Sequence, residues 1–142
     1  MQLTKGQIQK IKDYLLTKPL TLAYLFGSQV KGQTKKSSDV DIAVLFNDNL
    51  DKSQKFDLRL DLMHGISMIA KNENVDVVPM DQAPLFLKFN ILKDKICMVD
   101  KNPLNRIMTE QGILSRFFDR RFYLNRHTQF SLSRIAAQGF AL

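Results

Sequence analysis

Tryptophan is missing from this 142-residue chain, and cysteine occurs once, at Cys97. A single cysteine cannot close an internal disulfide, which removes the cross-linked scaffolds of small secreted proteins. Its apolar company, Ile96-Cys97-Met98-Val99, predicts a buried, inert thiol rather than a redox centre. With 6 glycines and 4 prolines the composition is neither fibrous nor low-complexity. No apolar run approaches the roughly 20 residues a membrane span requires. The start, Met1-Gln2-Leu3-Thr4-Lys5, lacks the apolar segment of a secretory signal, so the expected setting is the cytoplasm. Acidic residues are also scarce, 14 against 21 Lys and Arg, for a net charge of +7. Residues 101–142 carry most of that excess, with 7 Lys/Arg against 2 Asp/Glu. Such a segment suits nucleotide phosphates, nucleic acid or an acidic protein partner.

What is present is the composition of a globular protein, 44% hydrophobic and 25% charged, and a length that fits one domain over 1–142. Thr4-Lys5-Gly6-Gln7 has the form of a capping box, and Ile8, Ile11 and Leu15 follow at helical spacing, so 5–17 reads as a helix closed by Pro19. Leu20 to Phe26 and 39–46 read as strands separated by a Gly-Ser turn and a polar loop, at one edge of a sheet. A helix is expected over about 53–71, capped near Asp51, with Phe56, Leu60, Met63 and Ile66 or Ser67 on its inner face and Gly65 as a mild weakness. Val75-Asp76-Val77-Val78 is a short strand ended by Pro79, a short helix fits 82–92, and Lys95 to Val99 reads as a fourth, edge strand. Asn102-Pro103 starts a helix to about residue 126, with Leu104, Ile107, Met108, Leu114 and Phe118 at helical spacing. The stretch from His127 to Leu142 has no clear period. The fold class is therefore α/β (α+β), a small mixed sheet flanked by helices with a C-terminal helix.

The chemistry concentrates between Gly27 and Asp41. Residues two apart on a strand face the same way, so Asp39 and Asp41 project together while Val40, Ile42 and Val44 turn into the core. Paired carboxylates on an apolar strand are costly unless a cation lies between them, and hard oxygen ligands suit Mg²⁺ or Mn²⁺. Asp76 is a third carboxylate in an apolar strand, and if the two strands are neighbours three carboxylates converge. Such a set can hold two divalent ions about 3.5–4 Å apart, the arrangement that serves phosphoryl or nucleotidyl transfer. Gly27 lets the backbone approach a triphosphate, the Ser28 hydroxyl and neighbouring amides can donate to its oxygens, and Lys31, Lys35 and Lys36 add charge. Taken singly, a Gly-Ser turn or an Asp-x-Asp pair is commonplace; the conjunction is not.

The pattern Gly27-Ser28-x-x-x-Gly32, Ser38-Asp39-x-Asp41 and the later Asp76 resembles the nucleotidyltransferase superfamily that includes polymerase β and kanamycin nucleotidyltransferase. In size the chain is similar to the minimal nucleotidyltransferases, the antitoxin partners of HEPN toxins. The resemblance spans roughly 20–126, with 20–80 as the motif core, because the basic, aromatic run from Arg116 to Tyr123 is also like that of the small members. It implies the nucleotidyltransferase fold, with Asp39 and Asp41 binding two Mg²⁺ ions and Asp76 binding one and acting as general base. Gly27, Ser28, Lys31, Gly32 and Ser38 would bind ATP, the first two holding the β- and γ-phosphates, with pyrophosphate as leaving group. It further implies AMP transfer from ATP to a tyrosine of a HEPN RNase toxin. Two positions depart from the pattern: Gln29 in the turn, and Lys31 where many relatives have Arg, which keeps the charge but gives up bidentate phosphate contact.

Two rival readings stand beside it: a non-catalytic antitoxin acting by occlusion, and nucleotidyl transfer to a small molecule, for which the chain leaves little room. His64 reads as an ordinary structural histidine. Arg121 and His127 share the Arg-x5-His spacing of HEPN nucleases, but the long helical bundle of that family is missing, so coincidence is the better reading. For the basic segment, protein or nucleotide contact ranks above nucleic acid.

Overall fold

The first helix, α1 (Lys5–Leu16), starts where a reciprocal cap permits it: the Thr4 hydroxyl accepts from the Gln7 amide, and the Gln7 side chain accepts from the Thr4 amide. In the computed structural model, which describes residues 2–31 and 39–137, with side chains except those of Lys31 and 130–137, nine further segments follow. They are β1 (Leu20–Phe26), a single turn α2 (Ser28–Lys31), β2 (Val40–Phe46), α3 (Lys52–Ala70), β3 (Val75–Pro79), a 3₁₀ turn (Met80–Gln82), α4 (Leu85–Lys93), β4 (Lys95–Asp100) and α5 (Pro103–Ala137).

The strands form one mixed sheet in the order β3-β2-β1-β4. Strand β1 pairs antiparallel with β2 and β4, while β2 and β3 run parallel. The expected place of the motif at a sheet edge is therefore corrected: β1 and β2 are the two interior strands, and β3 and β4 form the edges. Helices cover both faces of the sheet, which is why β1 is apolar almost throughout.

One face of the sheet, through Ala23, Leu25, Val40, Ile42, Val44, Val75 and Val77, packs on α1 and α3. The other, through Leu22, Tyr24, Phe26 and Ala43, packs on Met80, on Ile91 of α4 and on Ile113 of α5. Helix α3 is capped by Asp51, whose carboxylate accepts from the Gln54 amide. Its buried stripe is Leu62, Ile66 and Ala70; Phe56 and Leu60, expected inside, are exposed. Both stripes keep helical spacing, and only contact with the sheet selects one. Gly65 is a site of close approach: a Cβ there would meet the Tyr14 hydroxyl of α1, which donates to the Asp61 carbonyl at 3.2 Å.

Helix α5, capped by Asn102 at its first turn, runs eleven residues beyond the expected end near 126 and takes in His127. Ile113 is its buried anchor, while Leu104, Ile107, Met108, Leu114 and Phe118, which mark its helical spacing, lie exposed. A polar network fixes the helix to the sheet. Tyr24 on β1 and Lys95 on β4 both donate to Glu110, and Arg106 reaches Glu110 at 3.3 Å and Asp100 at 2.7 Å. Burial would raise the Glu110 pKa, but these hydrogen bonds and cations outweigh it and hold the carboxyl below its usual range. Cys97 sits exposed on the edge strand, not buried as expected; nearby packing and Asp100 push its thiol pKa up, so it is a poor nucleophile. Among the described residues no helix is long and apolar enough to cross a membrane.

Candidate active site

Strand register brings the acidic residues together. In the β2–β3 pairing Asp41 stands opposite Asp76, and in the β1–β2 pairing it stands opposite Phe26, the last residue before Gly27. Because Val40, Ile42, Val75 and Val77 turn into the core against α1 and α3, Asp39, Asp41 and Asp76 are left on the other side of the sheet. Asp39 and Asp76 are exposed, and Asp41 is half-buried.

Asp41 carries the electrostatic signature of this meeting. Its pKa is pushed up to about 6, first by burial and then by the negative charges of Asp39 and Asp76. A carboxylate held near two others in a partly dry place is short of a cation. Asp76 takes part of its compensation from α3, where Arg59 Nη2 lies 3.5 Å from Asp76 Oδ1 with both groups partly exposed. With Asp76 turned toward Arg59, the described side chains do not close into a three-ligand cage. The donor set nevertheless matches a hard divalent cation: three carboxylates, Asp41 on β2, Asp39 immediately before that strand and Asp76 in register on its neighbour.

Gly27 is required by geometry at this point. Its φ is 78°, in the left-handed region, and a Cβ there would stand 2.6 Å from Asp41 Oδ2. The chain thus turns off β1 directly against the carboxylate of β2, and Ser28, half-buried, opens the single turn α2. Gln29, a departure from the expected turn, faces inward: it is 4% exposed, and its Oε1 accepts from the Leu3 amide at 3.0 Å. It ties the N-terminal segment to the turn, a role with no local sequence signal because its partner lies 26 residues away.

Of the remaining expected residues, Gly32, Lys35, Lys36 and Ser38 lie outside the described residues, as does the side chain of Lys31. His64 is exposed on α3, as an ordinary surface histidine. His127 stacks on Tyr123 along α5, with ring centroids 6.1 Å apart. Arg59 was not anticipated, because its partner is supplied by a strand 17 residues later.

Residues 9–104 match the family model for polymerase β nucleotidyltransferases. This chain belongs to that family. Among curated relatives, the nucleotidyltransferase is 35% identical over 86 residues to the protein adenylyltransferase MntA of Shewanella oneidensis. The match covers 61% of this chain and 58% of MntA, so it spans little more than half of that relative. Among solved structures, the fold is similar to a chain of a toxin–antitoxin crystallised with AMP-PNP, with a TM-score of 0.64 at 23% identity, covering 94% of this chain and 99% of that one. It is also similar to a chain from the complex of tri-AMPylated Shewanella oneidensis HEPN toxin with MNT antitoxin, with a TM-score of 0.58 at 20% identity, covering 91% and 98%.

Proposed function

We propose that this nucleotidyltransferase transfers AMP from ATP to a tyrosine of a HEPN-type toxin and neutralises it, acting as one catalytic unit in the cytoplasm. The observation that carries the reading is the packing of Gly27 against Asp41 with Asp76 in register beside it, a tight turn joined to a carboxylate cluster. The names of the adenylyltransferase relative and of the AMPylated complex support the choice of nucleotide and acceptor.

Asp39, Asp41 and Asp76 would hold two Mg²⁺ ions, or Mn²⁺, and when bound these supply charge neutralisation for the phosphates. The raised pKa of Asp41 supports this assignment, since a cation at that carboxylate offsets both the burial and the repulsion from Asp39 and Asp76 that raise it. At Gly27 the backbone amides and the Ser28 hydroxyl bind and orient the β- and γ-phosphates, helped by Lys31, Gly32 and Ser38. Asp76 accepts the proton of the acceptor hydroxyl as the acceptor oxygen attacks the α-phosphorus. The bond from that phosphorus to the bridging oxygen breaks, and pyrophosphate leaves.

The test is incubation of the purified chain with Mg²⁺, ATP labelled at the α-phosphate and a HEPN toxin. Label is expected on a toxin tyrosine, and Asp39→Ala or Asp41→Ala should abolish it while leaving the fold intact. A folded wild-type chain that binds ATP yet leaves the toxin unlabelled would remove the transferase reading. Neutralisation by occlusion is the second reading, favoured by the exposed apolar residues of α5. It would be preferred if an Asp39/Asp41 double variant protected cells as fully as wild type.

A further inference from the structure

Away from the carboxylates, helices α4 and α5 enclose a groove of about 510 Å³ floored by Pro84, Leu85, Phe86, Phe117 and Leu124 and rimmed by Arg120 and Arg121. Its apolar surface continues outward: Phe86 is 68% exposed, and Phe118, Phe122, Tyr123 and Leu124 are each at least half exposed. Isolated exposed apolar residues are ordinary, but a contiguous run beside a concave floor marks a place where something binds. The floor is rigid, because Phe117 stacks face to face on Phe89 at 3.8 Å and Phe118 meets both rings edge-on. Rigid aromatic anchors beside arginines are the composition of binding hot spots.

We propose that this groove is the docking site of the protein acceptor, and that it takes an apolar segment of that partner flanked by carboxylates. The inference rests on the functional reading above, of which it names the recognition surface. The charge of the segment selects the occupant. Residues 101–142 carry 7 Lys/Arg against 2 Asp/Glu, so a second copy of this chain would bring like charges together, whereas an acidic partner neutralises Arg120 and Arg121. The floor favours protein over nucleic acid: Pro84, Leu85 and Leu124 make it largely aliphatic, and one face of Phe117 is already covered by Phe89. The position suits delivery. Pro84 follows Asp76 by eight residues, so chain length alone keeps that end of the groove within about 29 Å of Asp76. A partner seated there can present a loop to the active site.

The experiment measures binding of the 142-residue chain to the HEPN toxin by calorimetry at two salt concentrations, together with label transfer. The variants are Arg120→Glu/Arg121→Glu and, separately, Phe86→Ser. Both change exposed side chains, and circular dichroism and ATP binding monitor the fold. Each variant is expected to bind the toxin at least about tenfold more weakly with ATP binding unchanged, and the wild-type affinity should fall with salt. Toxin binding equal to wild type in both variants overturns the docking site and leaves the transferase reading standing. Binding that is lost in the variants, with no label transferred by wild type, supports the docking site and removes the transferase reading. No binding by the wild-type chain removes both. Loss in the variants of single-stranded RNA binding or of a self-dimer, with toxin binding intact, assigns the groove to that occupant instead and overturns the proposal.

Discussion

Gly27 and Asp41, fourteen residues apart, meet so closely that a Cβ on the glycine would lie 2.6 Å from Asp41 Oδ2. The contact exists because β1 and β2 pair antiparallel with Phe26 opposite Asp41, which sets the turn after one strand on the carboxylate of the next. The glycine turn proposed to hold phosphate and the carboxylate proposed to hold a cation are thereby one structural unit.

Gly27→Ala is expected to damage both halves at once. The left-handed φ of 78° alone costs about 1–2 kcal/mol for a residue with a Cβ, and the methyl group displaces the Asp41 carboxylate as well. Thermal denaturation should register the loss of stability, and ATP binding should fall by more than that loss accounts for. An alanine variant with wild-type ATP affinity would separate the turn from the site.

Asp41 predicts a pH dependence of stability in the metal-free protein. Its folded pKa of about 6 lies above the ordinary 3.8, so between those values the folded state holds a proton that the unfolded chain releases. This contribution to stability is greatest below the window and is lost as pH rises through it. Asp41→Asn should therefore melt higher than wild type near neutral pH in the presence of a chelator, by about 1–2 kcal/mol after allowance for solvent screening. Added Mg²⁺ should stabilise wild type and leave the variant nearly unchanged.

Arg59 competes with any cation for Asp76. Because the pair is exposed, Arg59→Ala should alter stability by less than about 0.5 kcal/mol. The Mg²⁺ concentration giving half-maximal label transfer should instead drop, since the resident positive charge at Asp76 is gone. A requirement for more Mg²⁺ would mean that Arg59 acts on the substrate rather than against the metal.

Glu110 is the polar anchor of α5. Glu110→Ala removes the acceptor shared by Tyr24, Lys95 and Arg106 and should cost about 2–3 kcal/mol, chiefly through the Tyr24 and Lys95 donors, since Arg106 keeps Asp100. Since its pKa lies below the usual range, the stabilisation is present above the unfolded value and is lost as pH falls through the folded one. Wild type and variant should therefore converge in melting temperature toward acid pH.

Much of this was legible in the residue pattern. Thr4-Lys5-Gly6-Gln7 marks the start of α1 because a capping box is a local interaction, and Leu20–Phe26 falls where its apolar run predicts. Asp39, Asp41 and Asp76 stand out because carboxylates among β-branched residues contradict the surrounding apolar pattern. On α3, Ile66 is buried and Met63 packs against the core as the spacing predicts, but Phe56 and Leu60 lie exposed and Leu62 and Ala70 are buried instead, because neighbouring stripes share the 3.6-residue period and the docking angle on the sheet decides between them. Cys97 was misread because its neighbours are apolar, yet an edge strand exposes residues that an interior strand would bury.

Sequence alone determined the local pieces: caps, strands, the glycine turn and three acidic residues, each specified by interactions within a few positions along the chain. Tertiary structure decided what they add up to. Only the parallel register of β2 with β3 places Asp41 opposite Asp76, and only the antiparallel register of β1 with β2 presses Gly27 against Asp41. The pairing of Arg59 with Asp76, the inward turn of Gln29 and the groove between α4 and α5 all join residues distant in the chain. Such contacts follow from how strands are ordered and helices dock, and no local periodicity encodes that.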